Sequence, residues 1–290
     1  MGNNLMQYKG PASADSTRLT AIDVSHENPL PTESPVVANA IRRIFNDYGD
    51  VVSVNEKAKA LLKFGESQQV TTSTTTLMDL PTGTLNETFV GTNAITHISS
   101  SSGSDTVDVV IEGHTIDGNG DFTFSTQTVT LVGQTKTPLT TSLARCTRIY
   151  NNSGTDLVGN IYVYEDDTVA SGVPATGSKV HCMITAGKNN SSKAATTISS
   201  VDYWIITSCS ALFLKKGAGY GEVQLEIRNK GKTFRETAHM AVGSSAPHAV
   251  LNFDPPIIVP SNADVKLTAV ADSSNTYMGG NINGYLAIVT

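Results

Sequence analysis

Thr106-Val-Asp-Val-Val-Ile-Glu112 alternates apolar and polar side chains, breaks at Asp117-Gly-Asn-Gly-Asp121, and resumes as Phe122-Thr-Phe-Ser-Thr-Gln-Thr-Val-Thr-Leu-Val132. A period of two sends one face of each run into a core and the other into water. The pattern breaks again at Gly133-Gln-Thr135. It then recurs in Arg145-Cys-Thr-Arg-Ile-Tyr150, a turn at Asn151-Asn-Ser-Gly154, and Gly159-Asn-Ile-Tyr-Val-Tyr164. The Asp-Gly, Asn-Gly and Ser-Gly pairs supply the positive-φ positions of tight hairpins. The stretch predicts an antiparallel ladder.

Composition extends that reading to the whole chain of 290 residues, long enough for one large β domain or two smaller ones. Charged residues make up only 16%, against about 25% in ordinary soluble domains. Ser, Thr, Asn and Gly carry the polarity instead, which favours strands and turns over long helices. A surface thin in charge suits a protein packed against neighbours. The net charge of -6 and pI near 5.5 provide no basic field for nucleic acid. No apolar run approaches the ~20 residues of a bilayer span, and no signal peptide is visible. Met1-Gly2 matches the start of an acylation motif, but Met6 stands where Ser or Thr is required. Cys146, Cys182 and Cys209 are odd in number and widely spaced, which predicts small buried hydrophobes rather than disulfides or a zinc site.

Outward from the ladder, four regions are expected. Residues 1–66 read as an extended arm with one or two short helices, and 67–92 as a Thr-rich linker with one apolar knot at Leu77-Met-Asp-Leu-Pro81. Residues 93–178 form a first β region and 179–290 a jelly-roll-like sandwich, its strands spaced by about ten residues. Breaks are expected at Pro255-Pro256 and at Gly279-Gly280, among others. In the arm, Leu19, Ile22, Val24 and Leu30 are apolar anchors for a neighbouring subunit. Ser34-Pro35 is a helix start, with Ser as N-cap and Pro at the first helical position. Val37, Ile41, Ile44, Phe45 and Tyr48 then form one apolar stripe, ended by Gly49. A second helix is predicted over Glu56–Phe64.

Candidate chemical groups are sparse. Asp117, Asn119 and Asp121 mimic half a calcium loop, but Phe122 and Thr128 stand where Gly and Glu belong, so a hairpin turn is expected. Gly217–Gly221 lacks the Lys-Ser and following helix of a phosphate loop. The six histidines, His26, His97, His114, His181, His239 and His248, show no metal-ligand spacing. Asp166-Asp167 and Glu222/Glu226 are paired carboxylates, the second pair on one strand face. Tyr203, Trp204 and Tyr220 are the aromatic residues that a sugar could stack on. No cofactor and no catalytic role is expected from these groups.

Lys63-Phe-Gly65, Ser99-Ser-Ser-Ser-Gly-Ser-Asp-Thr106, Val110-Ile-Glu-Gly113, Thr128-Val-Thr-Leu-Val-Gly-Gln-Thr135, Arg148-Ile-Tyr150 and Gly159–Asp166 together resemble a module of virion structural proteins of tailed bacteriophages. Gly221–Arg228, Thr233-Phe-Arg235, Asp254–Pro260 and Asn283-Gly-Tyr-Leu-Ala287 resemble the jelly-roll portion of the same group. The resemblance spans about residues 60–290. It implies a particle component on the capsid surface, a decoration or cement protein bound to the major capsid protein and to copies of itself as a homotrimer. Tail, collar and glycan-binding attachment proteins reuse such sandwiches and stand as the alternative; a hydrolase on the same scaffold is the third reading.

Overall fold

The computed structural model describes residues 59–214 and 219–288. Chain order begins with β1 (Lys59–Val70), β2 (Thr75–Thr76), β3 (Ile95–Ser100), β4 (Asp108–Ile116), β5 (Phe122–Thr130) and β6 (Thr137–Leu143). Next come β7 (Arg145–Asn151), β8 (Ile161–Glu165), the short pair β9 (Val169–Ala170) and β10 (Val173–Pro174), and β11 (Val180–Ile184). The chain ends with β12 (Ala195–Thr197), β13 (Asp202–Phe213), β14 (Tyr220–Arg228), β15 (Arg235–Gly243), β16 (His248–Val259), β17 (Asp264–Ala271) and β18 (Thr276–Ile288). Among the described residues the one helical element is a single 3-10 turn at Gly177–Lys179.

These strands form two sandwiches. One packs the sheet β1-β18-β13-β16 on the sheet β12-β17-β14-β15, with β2 added alongside β17. Every pairing in both sheets is antiparallel. Taking β1 and β12–β18 as eight successive strands, each sheet interleaves early and late members, the double Greek key of a jelly roll. Its core includes Trp204, Ile206, Leu225, Leu267, Met278 and Ile282. The other sandwich packs β11-β8-β3-β6 on β5-β4-β7 around Ile98, Ile111, Leu143, Ile149 and Val163. It is inserted between the first and second strands of the jelly roll.

Three boundaries therefore move. The helix expected over Glu56–Phe64 is strand from Lys59 onward, and the arm expected to reach residue 66 ends by Lys59, because β1 pairs with β18 from Lys59↔Leu286 to Ser67↔Met278. The inward positions of β1 are Leu61, Lys63, Gly65 and Ser67, while Leu62 and Phe64 point out. Its apolar alternation is thus out of phase with its burial, and Ala, Leu and Lys are good helix formers. The Thr-rich linker carries the end of β1 and all of β2, and its knot, Leu77 and Met78, is fully buried. The boundary expected at residue 178 falls after β11, which pairs with β8 in the insert.

Two expected breaks are absent. Pro255 and Pro256 lie within β16, where Asp254–Pro255 is cis. Edge strands tolerate proline because their outer N–H groups need no partner. Gly279 and Gly280 lie within β18. A Cβ on Gly280 would stand 2.6 Å from Ser210 O, so glycine serves close approach there rather than a turn. The first expected helix, with Val37, Ile41, Ile44, Phe45 and Tyr48, and the anchors Leu19, Ile22, Val24 and Leu30 lie outside the described residues.

Candidate functional site

The insert and the jelly roll meet across a seam of buried charge. Arg145 opens β7 of the insert and Asp264 opens β17 of the jelly roll; both are about 5% exposed. Arg145 Nε donates to Asp264 Oδ1 at 2.9 Å. Arg228 on β14 donates to Asp264 Oδ2 at 2.5 Å, and Thr197 Oγ1 donates to Oδ1 at 2.6 Å. Burial alone would raise the Asp264 carboxyl; the bonds and charge of these partners reverse that and hold it below the usual carboxylate range. Aromatic rings fill the space between the cations. Arg145 lies 4.8 Å from the Phe122 ring and 5.1 Å from Phe89, and Arg228 lies 5.0 Å from Phe89 and 4.6 Å from Phe234. Stacked guanidinium groups desolvate more cheaply than ammonium groups, which is why arginine serves here.

A second buried pair closes the seam. Lys193 Nζ bonds Glu87 Oε1 and donates to the backbone oxygens of Cys146 at 2.5 Å and His181 at 2.8 Å. Burial lowers the ammonium, but the Glu87 carboxylate and the neighbouring Cys182 and Cys146 outweigh it and raise Lys193. Burial raises Glu87, whose Oε2 has no partner. Lys63, facing inward from β1, donates to Thr147 O at 3.0 Å, and burial brings it down to about 8. The predicted turn at Asp117–Asp121 is present: Asp117 Oδ1 accepts from the N–H groups of Asn119 and Asp121. It docks on the jelly roll through Asp121, which accepts from Lys230 at 2.7 Å and Asn262 at 2.8 Å.

The chemical candidates are dispersed. Glu226 pairs with Lys266 and Thr268, while Glu222 lies exposed on the same strand. Asp166 pairs with Lys136, and Asp167 accepts from the N–H groups of Thr168 and Thr176. His114 and His181 are buried and pushed down to about 3, first by desolvation and then by neighbouring cations. His97 stacks on Tyr164; His239 and His248 are exposed, and His26 lies outside the described residues. Trp204 is fully buried. Tyr203 and Tyr220 are exposed, but Tyr203 lies near the start of β13 and Tyr220 opens β14 in the facing sheet, so the three aromatics form no platform. All three cysteines are buried and unpaired in disulfides. Among the described residues no cluster of His, Cys, Asp or Glu has metal-binding geometry.

The candidate site that remains is a surface, the outward face of the sheet β1-β18-β13-β16. Its register builds rows across four strands. One row runs Phe64, Asn281, Ser210, Val250, and the next Leu62, Asn283, Ser208, Asn252. Leu62 is 60% exposed, Val250 54%, Phe64 44% and Leu212 38%. The amides between them satisfy one another: Asn283 donates to Ser208 Oγ at 3.0 Å and to Asn281 Oδ1 at 3.3 Å. Glu66 stands at one end of the face, neutralised by Lys188 and bonded by the Tyr277 hydroxyl at 2.5 Å. These rows carry no charge, and Asn283, Asn281 and Ser208 are already bonded to one another, so covering that part of the face costs little desolvation. The β1 edge is closed as well, since Lys193 N–H donates to Phe64 O and Glu66 N–H to Ser192 Oγ.

No protein-family model and no curated protein sequence matches the chain. Solved structures similar to it include the infectious bursal disease virus T13 viral particle, at 11% identity and a TM-score of 0.19, covering 86% of this chain and 74% of that one. The VP2 subviral particle of the same virus is similar at 9% identity and a TM-score of 0.20, covering 86% and 77%. The Gt strain of that virus is similar at 11% identity and 0.19, with the same coverage. Superpositions at this level carry no argument about function.

The seam residues Phe89, Arg145, Arg228, Phe234 and Asp264 carry no local sequence signal. Each sits at a strand end or in a loop, and only the topology brings them together. The outward face did have a signal, the out-of-phase Leu62 and Phe64.

Proposed function

We propose that this chain is a structural subunit of a virion, without catalytic activity, and that it works by covering and being covered by neighbours. The observation that carries the reading is the outer face of the β1-β18-β13-β16 sheet, whose central rows carry no charge. Leu62, Phe64, Leu212 and Val250 are large apolar groups left in water on it. Large apolar groups exposed on a face whose middle holds amides bonded to one another are costly to leave in water and inexpensive to cover, the property of an assembly surface. The buried seam supports the same role, because a clamp that fixes two sandwiches to each other transmits load between neighbours without opening. The resemblance of residues 60–290 to tailed-phage virion proteins directs the reading to a head decoration or cement protein, bound to the major capsid protein and to itself as a trimer on the capsid surface. In a symmetric assembly each weak contact is repeated, so modest affinities sum to a stable particle.

The test is to add purified full-length chain to capsids of the resembled kind that lack their decoration protein. Stoichiometric, saturable binding seen by sedimentation and electron cryomicroscopy is the expected result. A chain that stays monomeric at high concentration in light scattering and never sediments with capsids overturns the proposal.

A further inference from the structure

We propose that Cys146 and Cys182 are an oxidation site, at which hydrogen peroxide joins the two sulfurs in a disulfide that staples one sheet of the insert to the other. The proposal is independent of the assembly reading. Topology brings the pair together. Cys146 lies on β7, the edge of the sheet β5-β4-β7, and Cys182 on β11, the edge of the sheet β11-β8-β3-β6. The two edge strands pack against each other. Both cysteines belong to the insert core and are no more than 1% exposed. Their side chains are hydrogen-bonded to each other. One nitrogen also ties the two backbones beside them: Lys193 Nζ donates to Cys146 O at 2.5 Å and to His181 O, next to Cys182, at 2.8 Å. Two sulfurs in contact, on strands pinned to a common atom, are the juxtaposition from which a disulfide closes without moving an element.

The surroundings assign each sulfur a role. The thiolate is the nucleophile. Burial alone would raise both thiols. At Cys182 the hydrogen bond from Cys146, the Lys193 ammonium and Ser191 outweigh burial and hold the thiol below its ordinary range. Cys146, the donor, is raised well above that range, first by burial and then by Cys182. Cys182 therefore attacks first. Its sulfur bonds to one peroxide oxygen and the O–O bond breaks. The departing hydroxide takes up the proton that Cys182 released and leaves as water, and Cys182 is left as a sulfenic acid. The Cys146 sulfur then attacks the Cys182 sulfur, the S–O bond breaks, and the hydroxyl leaves with the Cys146 proton as a second water. The two thiols are oxidised by two electrons and the peroxide is reduced by two. Cys209 is the internal control. It lies in the jelly-roll core, 3.8 Å from the Met240 sulfur, and burial pushes it up to about 11.

The experiment treats the folded full-length chain with a few equivalents of hydrogen peroxide, removes the excess with catalase, and then alkylates in denaturant. Alkylatable thiols are expected to fall from three to one, the survivor being Cys209. The intact mass before alkylation should fall by about 2 Da, for two hydrogens lost, and a peptide map should join Cys146 to Cys182. A reductant should restore all three thiols. Three thiols after treatment, or oxygen added to either cysteine without the cross-link, overturns the proposal. The staple has its own readout: the melting temperature of the oxidised chain should rise by roughly 5–10 °C, and a cross-link without any rise overturns the stapling. Cys146→Ser tests the order of events. It removes the second thiol, so Cys182 should stop at the sulfenic acid and be captured by dimedone. A folded Cys146→Ser chain that captures none overturns the assignment of Cys182 as the attacking sulfur.

Discussion

The two sandwiches of this chain solve the same packing problem in different ways. The insert is continuous in sequence, and its strands pair with one another: β4 pairs β5 as a hairpin and also β7, and β3 pairs β6 and β8. The jelly roll is discontinuous. Its first strand, β1, pairs with its last, β18, across most of the described chain. The insert closes its sheets within its own stretch of chain around a compact aliphatic core, whereas the jelly roll must close a long loop that contains another domain. The charged seam lies where that loop leaves and returns, so its buried ion pairs fix the geometry on which β1 depends.

The largest effect that could break the comparison is loss of the seam's central carboxylate. Asp264→Ala strands two guanidinium groups that are desolvated on one side and stacked on Phe89. Removing one partner of a buried pair costs about 3–5 kcal/mol. Two transitions should then replace one in denaturant unfolding, the insert and the jelly roll melting separately. A single transition with an unchanged midpoint would show that the seam does not couple them.

Next in size is Gly65→Ala on β1. The added Cβ would fall 1.9 Å from Leu77 O and 2.3 Å from Ala194 N, both backbone atoms that cannot swing aside. About 3 kcal/mol is expected, the upper end of ordinary overpacking. Gly154→Ala in the insert has nothing within 4 Å and should leave the midpoint unchanged. Equal effects at the two sites would mean that β1 packs more loosely than described.

These two positions also show what the sequence could and could not disclose. Alternation in 106–132 made the insert's strands legible, because Val109, Ile111, Val129 and Leu131 are buried on one parity, although Val110 and Phe122 are buried on the other and Phe124 is exposed. It misled at β1, where a lysine and a glycine face inward and Leu62 and Phe64 face out. Parity is a reliable guide only where a strand buries its apolar face, and β1 buries its polar positions against the seam. Glycine was ambiguous for a related reason. At Asp117–Asp121 it marks a turn, Gly120 having φ 79, whereas at Gly279-Gly280 it marks close packing inside a strand. The partners of Asp264 were not legible at all, since Arg145 lies 119 positions away.

Acid should separate the two sandwiches by a smaller margin. Both strongly lowered histidines, His114 on β4 and His181 on β11, belong to the insert; in the jelly roll, His239 and His248 are exposed. A histidine held at about 3 in the folded state and near 6.5 unfolded binds its proton preferentially in the unfolded chain. Its contribution is complete above about pH 6.5 and is lost as pH falls toward 3, at about 1.4 kcal/mol per pH unit. Glu87, raised by burial, partly opposes the trend. His114→Leu removes a ring whose Nδ1 has no partner, packed beside Phe122 and Phe124. The variant should recover about 2 kcal/mol at pH 5 relative to pH 7. Parallel pH profiles for the variant and the parent chain would remove the buried-neutral account of His114.

The smallest effect concerns the turn that plugs into the jelly roll. Lys230 Nζ lies 2.7 Å from Asp121 Oδ1, but both side chains are about two-fifths exposed. Exposed pairs contribute less than about 1 kcal/mol because water and salt screen them. Asn262 touches the same carboxylate and also accepts the Phe122 N–H at 2.8 Å, in a partly buried position. Lys230→Ala should therefore shift the midpoint by less than Asn262→Gly, which retains the backbone at φ 59 and deletes only side-chain bonds. High salt should abolish the Lys230 effect and spare the Asn262 effect. The reverse order would mean that the turn is held by charge rather than by hydrogen bonds, and that the two sandwiches are joined at their rim more by electrostatics than by fit.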